Sequence, residues 1–156
     1  EHHSVWEWKD QVCTLTFDSN GGTEIDPVAA DYGTLLDLSR CVPVKEGFIF
    51  TGWHTDLECT KKADNPLVLN DHITVYAGWK VQECTLTFNS NQGTAFDPVT
   101  LNYNGTVDLR NYQPIKHGYF FKGWYTDSGF TQKAEDVIAL KSDITVYAKW
   151  KSGLSE

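Results

Sequence analysis

Apolar and polar residues alternate along this chain in short runs. Cys13-Thr14-Leu15-Thr16-Phe17 sets apolar side chains at odd positions with threonines between, the period-two signature of a strand with one buried face. Asp18-Ser19-Asn20-Gly21-Gly22 follows, a set that tolerates positive φ and predicts a hairpin turn. A second strand is expected over about 25–30, ended by Asp31-Tyr32-Gly33. Thr34-Leu35-Leu36-Asp37-Leu38 predicts a short capped helical turn ahead of Pro43. Beyond the turn Lys45-Glu46-Gly47, residues 48–53 predict a third strand and 73–79 a fourth. The stretch 55–65 has room for one more helical turn, stopped by Pro66.

The whole plan then repeats at an offset of 71 positions. Cys13 falls on Cys84, Phe17 on Phe88, Tyr32 on Tyr103, Trp53 on Trp124, Tyr76 on Tyr147 and Trp79 on Trp150, with no slip in between. The duplication predicts one unit at 10–80 and a second at 81–151, followed by a tail at 152–156. Trp8-Lys9 lie where Trp79-Lys80 would fall one unit earlier, so 1–9 are expected to be the remnant of a preceding repeat. The duplication also supplies a test, since a site needed in both units must have its residues in both.

Phe17-Asp18-Ser19-Asn20-Gly21-Gly22, Tyr32-Gly33, the run from Gly47 through Gly52-Trp53 to Asp56, and Ile73-Thr74-Val75-Tyr76-Ala77-Gly78-Trp79 together resemble the Listeria/Bacteroides repeat, the B-repeat type of internalin B. The second unit matches through Gly118-Tyr119-Phe120-Phe121-Lys122-Gly123-Trp124 and Ile144-Thr145-Val146-Tyr147-Ala148-Lys149-Trp150. The resemblance implies an α+β fold of two tandem β-grasp-like domains, each a mainly antiparallel four-stranded sheet with a short helix. It further implies a role as stalk or interaction module in large secreted or cell-surface proteins, with no catalytic residues. Two departures stand out: Asn104 replaces Gly33, with Gly105 beside it implying a rebuilt turn, and Gln92 replaces Gly21.

Units of about 70 residues sit near the lower size limit for a single core. Six tryptophans, seven tyrosines and eight phenylalanines compensate, because large rings bury the most area per residue ordered. The expected core is therefore Phe17, Tyr32, Phe50, Trp53 and Tyr76, repeated as Phe88, Tyr103, Phe121, Trp124 and Tyr147. A ligand-binding role for the Gly-Trp tryptophans is the competing reading. Trp79, Lys80 and Val81 are expected to form the interdomain joint. No Gly, Ser or Pro lies between Trp79 and Cys84, which implies a semi-rigid connection.

Chemistry is sparse. A formal net charge of −8 and pI near 5.0 argue against nucleic acid and anionic membrane surfaces. No apolar run approaches the roughly 20 residues of a spanning helix, and direct membrane insertion is not expected. His54, His72 and His117 correspond to Tyr125, Asp143 and Glu46, so no histidine recurs and no catalytic set is visible. Asp18, Asn20 and Glu24 resemble the start of a calcium loop, but Asn89, Asn91 and Ala95 replace them, and a hairpin turn is the expected reading. No metal or cofactor is expected. Asp56 and Asp127 recur and are read as caps of the next turn.

Cys13 and Cys84 share a face with leucine and phenylalanine and are expected as buried thiols. Cys41 and Cys59 are replaced together, by Tyr112 and Phe130, which suggests neighbours and a candidate disulfide worth roughly 3 kcal/mol. A lone thiol after the Gly-Trp segment is the alternative. Tyr112, Tyr125 and Phe130 make a candidate ligand patch. The expected function is thus a non-catalytic extracellular spacer in adhesion, partnered by neighbouring repeats. Direct binding of a host protein or glycan is the alternative, and edge-strand self-association a third possibility.

Overall fold

A computed structural model describes residues 11–153. The expected remnant at 1–9 and the last residues of the tail lie outside them. The chain divides after Lys80 into two compact units.

In the first unit, β1 (Val12–Asp18), β2 (Val28–Asp31), β4 (Phe48–His54) and β6 (Ile73–Val81) form one sheet in the order β2-β1-β6-β4. β3 (Thr34–Leu36) and β5 (Leu67–Leu69) form a separate antiparallel pair, with Leu36 opposite Leu67. The second unit repeats this with β7 (Glu83–Asn89), β8 (Val99–Asn102), β10 (Tyr119–Tyr125) and β12 (Ile144–Ser152) in the main sheet. β9 (Thr106–Asp108) and β11 (Val137–Ala139) form its small pair.

The centre of each sheet is a parallel pair made by the unit's first and last strands. Leu15 lies opposite Ile73 and Phe17 opposite Val75; Leu86 lies opposite Ile144 and Phe88 opposite Val146. In the second unit the flanking pairs are both antiparallel, and a bulge between Phe121 and Gly123 interrupts β10.

The expected α+β class is overturned: the fold is essentially all-β, with no α-helix among the described residues. The residues expected to coil, 34–38, instead extend. Leu36 and Leu38 turn inward at period two while Leu35 is exposed, and the backbone of β5 supplies partners. What remains is a single 3-10 turn, Leu38–Arg40, because three residues cannot offset the cost of an α-helical nucleus. Asp37 Oδ1 caps it, accepting from the Ser39 amide at 3.0 Å and the Ser39 hydroxyl at 2.6 Å. Asp108 caps the equivalent turn, Leu109–Asn111, through the Arg110 amide. Nor does 55–65 form a helix. That segment is pinned by a bridge from His54 to Lys62, matched by Tyr125 to Lys133.

One face of each main sheet closes on the small pair. Cys13, Leu15, Phe17, Leu38, Trp53, Leu67, Leu69, Val75 and Ala77 form the first core, and the second uses the equivalent positions except that Val107, the counterpart of Leu36, is buried and Ile138, the counterpart of Leu67, is half-buried. Of the expected core rings, Phe17, Phe88, Trp53 and Trp124 are buried, and half-buried Phe50, Phe121 and Tyr103 pack against the cores. Tyr32 is 43% exposed, in the turn after β2, and does not belong to the core. Tyr76 and Tyr147 are also corrected: they alternate with buried Val75, Ala77, Val146 and Ala148 and so occupy the opposite sheet face. Aliphatic residues do much of the filling, with Leu15, Leu69, Leu86 and Leu140 wholly buried.

The Asn104 turn is conserved in shape and is not rebuilt. Asn104 takes φ 70° where Gly33 takes 88°, and each donates its amide to the matching leucine carbonyl, Leu140 or Leu69. Asparagine is among the residues that tolerate this conformation.

Leu15→Ala and Leu86→Ala should each cost about 2–5 kcal/mol in urea unfolding. Thr16→Ala and Thr87→Ala, one position along on the exposed face, should cost under about 0.5 kcal/mol. Equal losses at both positions would contradict the assigned sheet faces.

Candidate functional site

The Gly-Trp elements are structural in both units. Trp53 is 4% exposed, stands edge-on to Phe17 and Phe50 at 5.0 and 5.3 Å, and donates Nε1–H to the Cys41 carbonyl at 2.7 Å. Trp124 does the same against Phe88, Phe121 and the Tyr112 carbonyl. The glycine is needed because Gly52 has φ 129° and the Lys62 side chain crosses it: a Cβ there would come within 2.7 Å of Lys62 Cε. Gly123 and Lys133 repeat the arrangement at 2.6 Å.

Trp79, expected at the joint, and its counterpart Trp150 are engaged with the first turn of their own units. Each indole donates to the serine carbonyl of that turn, Ser19 or Ser90, at 2.8 Å. Each ring lies flush on a turn glycine: a Cβ on Gly22 would approach Trp79 to 2.5 Å, and one on Gly93 would approach Trp150 to 2.4 Å. A Cβ on Gly21 would meet only the flexible end of Lys45, at 3.3 Å, and Gln92 takes the corresponding place while keeping a positive φ of 75°. Lys80 and Val81 are exposed at the end of β6, and a single residue, Gln82, separates β6 from β7.

The candidate patch is split. Tyr112 stacks on Phe88 at 4.5 Å and faces Phe96 at 5.4 Å, among the core residues. Tyr125 and Phe130 meet edge-to-face at 5.6 Å, and Tyr125 lies opposite Tyr147, which places them on the other side of the sheet. The same separation disposes of the candidate disulfide. Cys41 packs against the first core, whereas the Cys59 thiol lies 3.6 Å from the Ala77 carbonyl and 3.7 Å from that of Leu57. All four cysteines are free thiols, with Cys13 and Cys84 buried. Joint replacement of Cys41 and Cys59 therefore reflects two separate environments. Burial, then the charge of Asp37, raises the Cys41 thiol pKa, and burial with Asp56 and Glu58 raises that of Cys59.

Asp18, the would-be calcium ligand, accepts the Asn20 amide at 3.0 Å, and Asn89 accepts that of Asn91 at the same distance. A neutral amide serves as well as a carboxylate, which is turn chemistry. Among the described residues no group of three or more His, Cys, Asp or Glu could hold a metal ion. His72 Nδ1 accepts the Thr14 amide, the task Asp143 performs for Thr85. His54 lies against Gly78, and its Nδ1 is buried without a partner.

Asp56 and Asp127 organise the loop after β4 and β10. Asp56 accepts the amides of Thr60 and Lys61 and the Thr60 hydroxyl; Asp127 accepts those of Thr131 and Gln132 and the Thr131 hydroxyl. The Thr60 hydroxyl, then the Lys61 amide, holds the Asp56 carboxyl at about 2, against an ordinary 3.8. Asp127 is lowered by the Thr131 hydroxyl and the same backbone donors.

The second unit also holds a recess of about 410 Å³ beyond the end of β7, with Asn89, Asn91, Lys116, Tyr119, Phe130, Tyr147 and Trp150 among its walls. The Lys116 ammonium sits 4.2 Å above the Tyr119 ring and 5.7 Å from Trp150. Lys45 repeats this over Phe48 and Trp79 at 4.3 and 5.7 Å. Lys45 and Lys116 were not singled out in the sequence, although the recurrence of a lysine one turn before an aromatic was visible there.

This turn-locking tryptophan, buried Gly-Trp and parallel sheet centre define a small, twice-repeated β module. The Listeria-Bacteroides repeat domain matches the chain over residues 14–78 and again over 85–149, and the chain belongs to that family. It is 33% identical over 147 residues to a "Putative Gly-rich membrane protein" of Evansella cellulosilytica, covering 93% of this chain and 17% of the relative. A "Putative membrane protein" of the same organism is 32% identical over 92% of this chain and 22% of its own length. Internalin H of Listeria monocytogenes is 33% identical over 74% of this chain and 20% of its own length. The match therefore spans about a fifth of each of these relatives. No solved structure matches the chain. No helix among the described residues is long and apolar enough to cross a membrane.

Two outcomes are expected here. Thiol titration of the unreduced, denatured chain should return four thiols, and two would restore the Cys41–Cys59 bridge. The depressed Asp56 carboxyl contributes stability that is complete above the ordinary carboxylate range and is lost as pH falls from 3.8 through about 2, and that of Asp127, also lowered, acts in the same direction. Asp56→Asn and Asp127→Asn should therefore flatten the fall in Tm between about pH 4 and 2, and an unchanged slope would contradict the loop assignment.

Proposed function

We propose that this chain is a non-catalytic repeat pair of a larger extracellular surface protein, acting as a spacer that carries load between other parts of that protein. One observation supports this best: the first and last strands of each unit are adjacent, central and parallel. The ends of the unit therefore leave the sheet at opposite ends of one ladder, and tension applied through them shears its hydrogen bonds together. A unit built for unzipping would have antiparallel terminal strands, whose bonds break one after another. The single residue between β6 and β7 passes tension from one ladder to the next with little slack. Neighbouring repeats of the parent protein are its natural partners.

The relatives agree in kind, two being named as membrane proteins and one as an internalin. The absence of any histidine shared between the copies, and the turn duties of the recurring Asp56 and Asp127, support a non-catalytic role.

Optical-trap stretching of the chain between its ends should show two discrete, cooperative unfolding steps of similar contour length, one per unit. Gradual extension at very low force would contradict a load-bearing spacer.

A further inference from the structure

Going beyond the spacer role, we propose that the second unit binds an acidic sugar, a pyranose ring bearing a carboxylate, in the recess between Tyr119 and Phe130 at the end of β7. Three features of the recess match that ligand. Aromatic walls suit the apolar face of a pyranose: Tyr119 is 44% exposed, and Phe130 is held in the left-handed region at φ 57°, uncommon for so large a side chain, with its ring against Tyr125. Amides suit its hydroxyls. Asn91 spends its Nδ2 on the Ala148 carbonyl, and Asn89 spends its Oδ1 on the Asn91 amide, leaving one amide group of each for a ligand.

The third feature is charge. In a chain of net charge −8, no carboxylate lines this recess. Lys116 stands at its wall, and a second ammonium, Lys149, lies 5.5 Å from the Tyr125 ring that backs Phe130. One ammonium in the wall and a second behind Phe130 match one sugar carboxylate, not a nucleic-acid backbone.

The first unit is the internal control. It keeps the lysine over an aromatic, but Asp18 stands at the position of Asn89, Cys59 at that of Phe130 and Gly78 at that of Lys149. A carboxylate is added, one ring is lost and one cation is lost, so the first unit keeps a single ammonium over Phe48 and sets a negative charge beside it. A lysine cannot return at Gly78 without displacing His54, since a Cβ there would lie 2.6 Å from His54 Cε1. Binding is therefore one sugar segment per chain.

The test is calorimetric titration of the whole chain with oligogalacturonate, its methyl ester and a neutral galactose oligomer. Oligogalacturonate should bind saturably at one site per chain. The ester and the neutral oligomer should bind at least about tenfold more weakly. Asn89→Asp, which preserves the turn as Asp18 does, and Lys149→Gln should each weaken oligogalacturonate by a similar factor while leaving Tm unchanged. Absence of saturable binding, equal binding of acid and ester, or indifference to both substitutions would overturn the proposal. None of those results bears on the two-step unfolding expected of a spacer.

Discussion

The parallel ladder between the first and last strands of each unit is the constraint from which the rest of the fold follows. Parallel neighbours cannot be joined by a tight turn, so the chain must leave one end of the sheet and return to the other by a crossover. In most folds a helix makes that crossover. Here the intervening residues are divided among edge strands, a two-stranded pair and a 3-10 turn, and the pair itself becomes the lid of the core. Leu36, Leu38, Leu67 and Leu69 supply the apolar surface that a helix would otherwise present.

Two tryptophans per unit hold this arrangement at its weakest points. Trp53 ties the crossover to the sheet through the Cys41 carbonyl, and its neighbour Gly52 lets Lys62 pass over the strand. Trp79 lies on the first turn, so the last strand of the unit grips the end of the first. Trp124 and Trp150 repeat both tasks, at 2.8 Å against 2.7 Å for the first indole and at the same 2.8 Å for the second. The indoles are spent on the fold in both copies, and the copies diverge around them: in the core, where Tyr112 and Phe96 stand for Cys41 and Ile25, and outside it, where Tyr125 and Phe130 stand for His54 and Cys59.

Much of this was legible in the sequence and some was not, for physical reasons. The alternation in Cys13-Thr14-Leu15-Thr16-Phe17, the Asn-Gly-Gly turn and the strands at 48–53 and 73–79 reported real elements, because burial on one face imposes period two. The three-residue strands β3 and β5 escaped, since so short an element shows no period of its own and exists only through its partner. Reading aromatics as core misplaced Tyr32, Tyr76 and Tyr147, although strict alternation from Val75 and Val146 would have sent the latter two outward. Pairing Cys41 with Cys59 failed because coincident replacement carries no information about which side of a sheet a residue occupies. The recess was illegible for the same reason: its residues lie on four separated segments that only the sheet order brings together.

The central claim is the parallel register of the terminal strands, and nuclear Overhauser contacts across the sheet test it most directly. The account predicts contacts that advance in the same direction along both strands, Leu15 with Ile73 and Phe17 with Val75, repeated as Leu86 with Ile144 and Phe88 with Val146. Contacts running in opposite directions, or none between these strands, would contradict it.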